Sequence, residues 1–222
     1  MRRPAPAAAQ DGTELHMRRF TIVLATICLL AAGAGRASAE TRWGVVAGLN
    51  LSTLHFNQKL VNGGRVANFS LGVKGELLIP GLGFGVDASA LYTQLGGKAK
   101  LGEHYVWASD SYGTVRSYHH YLELPFNLSF RYMNLNGIEN TIAPVVFLGP
   151  TFNIMLGHSH IGAFRYSGGC TSIHFGFGGE LYRKVQVTAS YNIGLSYALE
   201  TIKLDQHSAR DRWWRVAATY YF

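Results

Sequence analysis

Cysteine and charge are scarce in this chain. Two cysteines among 222 residues are too few for a disulfide scaffold or a zinc ribbon. Charged residues make up 15% of the chain and apolar residues 48%, which excludes a solvated, disordered coil. The aromatic content of 12 Tyr, 12 Phe and 4 Trp also excludes a collagen-like or low-complexity chain. The length fits one domain of ordinary size.

Long apolar runs are missing as well. The longest apolar stretch, 20–34, follows Arg18 and Arg19 and precedes the Ala-Ser-Ala sequence at 37–39. This order predicts a secretory signal peptide that is cleaved before Glu40. A transmembrane helix is the alternative, but the stretch is shorter than the roughly 18 to 20 residues that span a bilayer.

The chain therefore divides into three predicted parts. Residues 17–39 are the signal peptide, and residues 40–222 are the mature domain. Residues 1–16 show no strand or helix pattern, so we expect them to be a non-native extension, with translation starting at Met17. The net charge of +7 includes five Arg, one Asp and one Glu within 1–39, which leaves +4 on the mature chain. Export makes nucleic acid an unexpected partner.

Eight stretches of the mature chain alternate apolar and polar residues with the period of two that predicts β-strands. The clearest runs from Leu122 to Tyr132, and the least regular contains Pro144 and Pro150, where we expect bulges or fraying because proline cannot donate to a ladder. The predicted strands lie near 42–53, 66–79, 84–94, 122–132, 142–156, 172–182, 185–197 and 212–222.

The predicted connections alternate in length. Short ones lie near 80–83, 134–141 and 183–184, and long ones near 54–65, 95–117, 157–169 and 200–210. Transmembrane barrels have this asymmetry of short periplasmic turns and longer external loops. The sequence predicts an all-β fold, an eight-stranded antiparallel up-and-down transmembrane barrel in the outer membrane, with both termini in the periplasm.

The distribution of charge separates this barrel from a soluble lipocalin-like or sandwich fold. Charged residues fall on one face of the predicted strands, and the opposite face carries almost none. A charge that faces lipid at mid-depth costs roughly 2–4 kcal/mol, whereas a soluble barrel places its charges outside. The inward charges are four basic and four acidic residues that we expect to form an interior network: Arg42, Lys74, Glu76, Asp87, Glu123, Arg131, Glu180 and Arg215.

Aromatic residues near the ends of the predicted strands indicate two interfacial girdles. One girdle consists of Trp43, Phe84, Tyr132, Tyr182, Tyr220 and Phe222, and the other of Tyr92, Tyr121, Tyr197 and Trp214.

Five segments, in this order, resemble the PorT-like (porin-like) outer-membrane β-barrel family of Gram-negative bacteria. They are WGVVAGLNLSTL, YLELPFNLSFRY, VVFLGPTFNIML, ASYNIGLSYAL and the terminal aromatic strand. The last eight residues also resemble the assembly signal that the outer-membrane insertion machinery reads, carried by Arg215, Ala217, Tyr220 and Phe222. The resemblance implies that this machinery is a partner.

Function is expected outside the barrel interior, because eight strands enclose a space that side chains fill. We expect a structural or surface-binding role through the long loops, with outer-membrane lipid, lipopolysaccharide or another surface ligand as the partner. The loop at 95–117 combines Lys98, Lys100 and Arg116 with Tyr105, Trp107 and Tyr112. A small passive channel is the alternative, in which pairs such as Glu123 and Arg131 exchange partners.

A lipid-modifying enzyme is the third alternative. His158 and His160 have the spacing of a metal or general-base site, but they lie in a predicted loop without a nearby carboxylate. His119 and His120 lie at the mouth of the fourth predicted strand, where we expect an interfacial role. No His, Ser and carboxylate group by spacing, so the chain is expected not to be an enzyme and to need no catalytic residue, metal or cofactor.

Overall fold

A computed structural model describes residues 40–56, 62–79, 83–102, 113–132, 141–159, 164–201 and 208–222. The predicted extension 1–16, the predicted signal peptide 17–39 and His160 lie outside the described residues and stay predictions. Within the described ranges, no helix has the length and apolar character needed to cross a membrane.

The described residues form β-strands joined by turns and loops. In chain order the strands are β1 (Glu40–Phe56), β2 (Asn62–Gly64), β3 (Val66–Leu78), β4 (Phe84–Gly102), β5 (Gly113–Arg131), β6 (Ile142–His158), β7 (Phe164–Tyr166), β8 (Gly169–Leu181), β9 (Val185–Gly194), β10 (Leu199–Thr201) and β11 (Ser208–Tyr221).

Eight of these strands close into a ring. The pairing order is β1, β3, β4, β5, β6, β8, β9 and β11, and β11 pairs in turn with β1. Every pairing is antiparallel, and the closing pair extends from Gly44↔Tyr221 to Phe56↔Ala209. The short β2 adds to β4, whereas β10 pairs with β11 and carries β7 on its other side. The predicted eight-stranded antiparallel barrel is confirmed.

The barrel is apolar outside and polar inside. On its outer face Leu49 is 72% exposed and Phe177 is 64% exposed, whereas Glu123, which points inward, is fully buried. The alternation is regular along β3, where buried and exposed positions succeed one another. Only a lipid surround favours this arrangement, because water would favour the charged face outward. The fold is a membrane barrel, and the soluble lipocalin-like and sandwich alternatives are wrong.

We call the end that carries Glu40 and Phe222 the turn end, and the opposite end, with β7 and β10, the loop end. The hairpin of β4 and β5 at the loop end is longer than predicted, because β4 continues to Gly102 and β5 begins at Gly113. Most of the predicted loop 95–117 is therefore strand. Period-two alternation identifies a strand only where one face is apolar, and these residues extend past the apolar band.

The ladder between β5 and β6 has a gap at Pro150 but keeps its register there. The Cα partners of β5 and β6 go from Pro125↔Thr151 directly to Leu128↔Leu148, skipping Gly149 and Pro150 at constant register. A Cβ on Gly149 would overlap the carbonyl oxygen of Phe126, so glycine permits this close approach. The irregularity predicted here is thus a gap in the ladder. The register shift of this pair lies elsewhere, beside Tyr121.

Backbone conformation fixes two turns at the turn end. Gly83 has φ +71°, and its carbonyl accepts a hydrogen bond from Arg131 N at 2.6 Å. Tyr182 and Arg183 have φ of 50° and 58°, so the tight turn between β8 and β9 is centred one residue before the predicted pair 183–184. Lys184 N donates to the carbonyl of Leu181 at 3.0 Å and closes this turn.

Candidate functional site

The interior near the turn end contains a four-membered charge network. Arg42 donates to Glu76 at 2.5 Å and to Glu180 at 2.9 and 3.0 Å. Arg131 donates to Glu76 at 3.1 Å and lies 2.6 Å from Glu180. Each guanidinium therefore contacts both carboxylates, and none of the four side chains is more than 7% exposed. Four strands supply one inward charge each, and the network ties them together.

A second group of interior charges, the ion pair of Lys74 and Asp87, lies beside this network. Lys74 Nζ is 3.3 Å from Asp87 Oδ2, and Asn127 donates to the other carboxylate oxygen at 2.8 Å. Lys74 also donates to Gln186 at 3.2 Å, and Gln186 accepts from Tyr221 at 3.0 Å. These contacts extend the polar filling from β3 to β9 and β11.

The ion pair of Arg215 and Glu123 lies farther toward the loop end. Arg215 donates to Glu123 at 2.9 and 2.5 Å, and its Nε donates to Asn50 at 2.9 Å. Thr93 donates to Glu123 at 2.6 Å. The structure thus places all eight predicted interior charges inside the barrel, with each acidic residue close to a basic one. It does not pair Glu123 with Arg131, since these residues belong to different networks.

The loop end of the interior holds a group of side chains that we call the mouth cluster: Ser117, His119, Tyr121, Tyr166 and Asp211. Ser117 Oγ lies 3.0 Å from His119 Nε2 and 3.0 Å from the hydroxyl of Tyr166. His119 Nδ1 lies 3.8 Å from Asp211 Oδ2, which accepts a hydrogen bond from Tyr121 at 3.2 Å. Ser117 and His119 are fully buried.

Aromatic contacts fix the position of the imidazole of His119. The rings of Tyr121 and Tyr166 lie nearly perpendicular to it, with centroids 6.1 and 5.2 Å away. Tyr166 also stacks on His158, at 4.0 Å between centroids. Burial raises the pKa of Tyr166, which lies on β7 outside the ring of eight strands, so its phenol is neutral at pH 7.

The mouth cluster is not predicted from the sequence. Ser117 and His119 are two residues apart on one strand and so share a face, but the predicted strand began at 122 and left them in a loop. Asp211 lies on β11, and it meets Ser117 and His119 only because closure of the barrel brings β11 to face β5. The spacing Ser-x-His was the one signal available. Tyr121, predicted to belong to a girdle, is instead fully buried in the interior.

The other predicted histidines have separate surroundings. His158 ends β6, where a loop was predicted, and stacks on Tyr166. His120 faces outward, and its Nδ1 lies 2.7 Å from the hydroxyl of Tyr92. Within the described part of the chain, no three His, Cys, Asp or Glu side chains group as a set of metal ligands.

The predicted assembly signal lies on the closing strand. Arg215 and Ala217 are buried, whereas Tyr220 and Phe222 are exposed. The rings of Tyr220 and Phe222 meet edge to face at 5.8 Å. Phe222 N donates to the carbonyl of Trp43 at 3.0 Å, which anchors the last residue on β1. The two aromatic residues form an apolar edge at the turn end.

Basic side chains lie on the outer surface of the loop end. Lys98 on β4 and Arg116 on β5 are direct Cα partners, and Arg116 is exposed. In the ranges that the structure describes, neither side chain has a hydrogen bond or an ion pair. Like charges placed directly opposite each other on neighbouring strands are destabilising. The fold alone does not account for this pair.

Comparison with protein-family models finds no match for this chain, and comparison with curated proteins finds none either. The resemblance to the PorT-like family therefore stays a prediction.

The chain is similar to several solved structures. One is Ail, the attachment invasion locus protein of Yersinia pestis, in complex with the heparin analogue sucrose octasulfate, at 17% identity, covering 82% of this chain and 99% of Ail with a TM-score of 0.43. Another is the outer membrane protein OprG from Pseudomonas aeruginosa, at 11% identity, 82% and 94% coverage and a TM-score of 0.46. Neisserial surface protein A gives 11% identity, 81% and 97% coverage and a TM-score of 0.43.

Proposed function

We propose that this protein is an integral outer-membrane barrel that binds the phosphate groups of outer-leaflet lipopolysaccharide through the hairpin of β4 and β5. In this proposal the loop end faces the cell exterior, and both ends of the barrel domain lie in the periplasm. The barrel itself serves as a rigid anchor for the hairpin.

The filled interior supports a role on the outer surface. Arg42, Glu76, Arg131 and Glu180 tie β1, β3, β5 and β8 together near the turn end. The Glu123 and Arg215 pair ties β5 to β11 closer to the loop end. Buried pairs with short contacts on several strands hold a barrel closed rather than leave an aqueous passage.

The Lys98 and Arg116 pair is the observation that carries the proposal. Two cations at directly paired positions repel each other, and a bound phosphate between them would replace this repulsion with two attractive contacts. Both residues share the outward face with His120, which contacts Tyr92 in an aromatic group that includes Phe69. Arg116 lies four residues beyond His120, roughly 13 Å along a strand. We therefore expect the cations to lie past the apolar band, at the level of lipid headgroups.

The test compares binding of purified, detergent-folded protein to vesicles containing lipopolysaccharide. The double variant K98Q/R116Q should bind about 30-fold more weakly, since a basic residue near an anionic surface contributes about 1 kcal/mol. The matched control is Lys184→Gln, which removes one exposed cation from the turn end. Equal binding by the double variant and the wild type would refute the proposal, provided that both show the same heat-modifiable migration in gels.

A small passive channel remains the alternative proposal, and it requires both interior charge networks to open. Single-channel conductance in planar bilayers tests it directly. Discrete steps that change on substituting Glu123 or Arg131 would favour the channel. A silent wild-type barrel would favour the surface role.

A further inference from the structure

Three residues of the mouth cluster meet in the order that activates a serine nucleophile. Ser117 Oγ lies 3.0 Å from Nε2 of His119, and Asp211 Oδ2 faces the other ring nitrogen, Nδ1, at 3.8 Å. A nucleophile, a base within hydrogen-bond reach and a third group that orients the base define such a site on unrelated folds. We propose that Ser117, His119 and Asp211 hydrolyse carboxylic esters at the loop end of the barrel.

Unpartnered polar atoms favour a reactive site over a purely structural cluster. In the part of the chain that the structure describes, His119 Nδ1 and Asp211 Oδ1 are buried and have no hydrogen-bond partner. The same is true of Trp213 Nε1 in the adjoining apolar cluster. Unpaired buried polar atoms are rare because each keeps its full desolvation cost. A histidine that becomes charged during reaction would draw Nδ1 and Asp211 together, since catalytic hydrogen bonds are often long until substrate binds.

The neighbouring side chains suit an acyl group. Tyr121 belongs both to the mouth cluster and to an apolar cluster with Leu95, Cys170 and Trp213, against which Met155 packs. An ester whose carbonyl carbon is at Ser117 would direct its acyl chain toward these residues. A short unbranched acyl chain matches a patch made of so few side chains.

Tyr166 covers the nucleophile in this structure. Its hydroxyl lies 3.0 Å from Ser117 Oγ, and it belongs to β7, whose three residues pair with β10. β10 in turn has two Cα partners on β11. A strand held by so few pairs separates more readily than the ring of eight, so displacement of Tyr166 is the step that gives an external ester access to Ser117.

The reaction needs only water and the ester. Ser117 Oγ attacks the carbonyl carbon while His119 Nε2 accepts the hydroxyl proton, and that proton then passes to the departing alkoxide as the ester C–O bond breaks. Water attacks the acyl-serine, His119 accepts a proton from it, and the proton returns to Ser117 Oγ as the carboxylic acid leaves. Asp211 is a positioning residue that holds the imidazole and stabilises its charged form.

The sequence predicts a non-enzymatic barrel, so ester hydrolysis at Ser117 is a departure from that expectation. It is independent of lipopolysaccharide binding at Lys98 and Arg116. The probe is an alkyl fluorophosphonate, which attaches to an activated serine with loss of fluoride. We expect mass spectrometry to locate the adduct on Ser117 in the folded wild-type barrel. The control variant Ser172→Ala removes another fully buried interior serine and should label as the wild type does.

Three further variants test the roles of the neighbours. His119→Phe should slow labelling by about 100-fold or more, since a general base contributes at least that factor. Tyr166→Ala should speed labelling, because it uncovers Ser117. Asp211→Asn should lower kcat for p-nitrophenyl butyrate with little change in KM, which a merely structural role would not produce.

Two outcomes would overturn the inference. One is the absence of any adduct on Ser117 in both the wild type and Tyr166→Ala, each shown to be folded by its heat-modifiable migration. The other is equal labelling of Ser117 in wild type and His119→Phe, because the serine would then react without its base.

Discussion

Arg215 on β11 donates two hydrogen bonds to Glu123 on β5, at 2.9 and 2.5 Å. These strands are the eighth and the fourth in the order of the ring, so they lie on opposite sides of it. The contact therefore joins opposite walls through the interior. Both side chains are shielded from bulk solvent, since Glu123 is fully buried and Arg215 is 7% exposed.

Loss of one partner of this pair should destabilise the barrel strongly. Glu123→Leu leaves the guanidinium uncompensated, and we expect a loss of about 3–5 kcal/mol in the free energy of unfolding. The double variant E123L/R215M should recover much of this loss, because it removes both charges. Urea unfolding in detergent, followed by tryptophan fluorescence, measures the difference. A double variant that loses the sum of both single changes would contradict the prediction.

A charge on the outer face should cost free energy according to its depth. Val73 and Leu77 both face outward on β3, but Leu77 lies next to the turn end, whereas Val73 lies nearer the middle of the apolar band. We expect Val73→Arg to destabilise the protein by about 2–4 kcal/mol and Leu77→Arg by about 0–1 kcal/mol. Reversible folding into lipid vesicles measures both. Equal costs at the two positions would argue against this placement of the bilayer.

Two glycines should respond differently to alanine. Gly83 has φ +71°, and a Cβ there would overlap the carbonyl oxygen of Arg131, whereas nothing lies within 4 Å of a Cβ on Gly179. Gly83→Ala should therefore lose more than the ~1–2 kcal/mol that a left-handed conformation costs an L-residue. Gly179→Ala serves as the control and should be nearly neutral. Urea midpoints of the two variants provide the comparison.

The last residue should matter for assembly in cells more than for folding in vitro. Phe222→Ser removes an aromatic side chain that is 82% exposed, and its backbone bond to Trp43 is retained. If the insertion machinery reads this residue, the amount of protein in outer membranes should fall severalfold while folding in detergent is unchanged. Tyr182→Ser is the control, since Tyr182 is 71% exposed at the same end. An equal fall for both variants would indicate a general girdle effect.

The sequence predicts the parts of this fold that the membrane constrains. Within the apolar band every second residue must be apolar, so residues such as Leu124, Phe126 and Leu128 identify their strand and its faces. Beyond the band this constraint disappears, and the extension of β4 to Gly102 leaves no periodic signal. The period-two pattern also does not predict which acidic residue pairs with which basic residue. Glu123 pairs with Arg215, 92 residues away, because closure brings their strands to face each other.

The mouth cluster fails to emerge from the sequence for the same reason. Ser117 and His119 share a face only if β5 begins well before 122, and Asp211 joins them only if β11 lies across from β5. Both conditions depend on contacts between distant segments. The spacing of two residues along one strand does not predict such contacts.

The hydrogen bond between Phe222 N and the carbonyl of Trp43 makes the two ends of the barrel domain neighbours. The pairing of the strands therefore does not depend on which two strands carry the chain termini. A short linker from Phe222 to Glu40, with new termini opened between β8 and β9, gives a circular permutant with the same strand pairings, since circular permutation succeeds where termini lie close together. In such a chain the present β11 and β1 become an internal hairpin. The pair that closes the barrel is then β8 and β9 instead of β11 and β1.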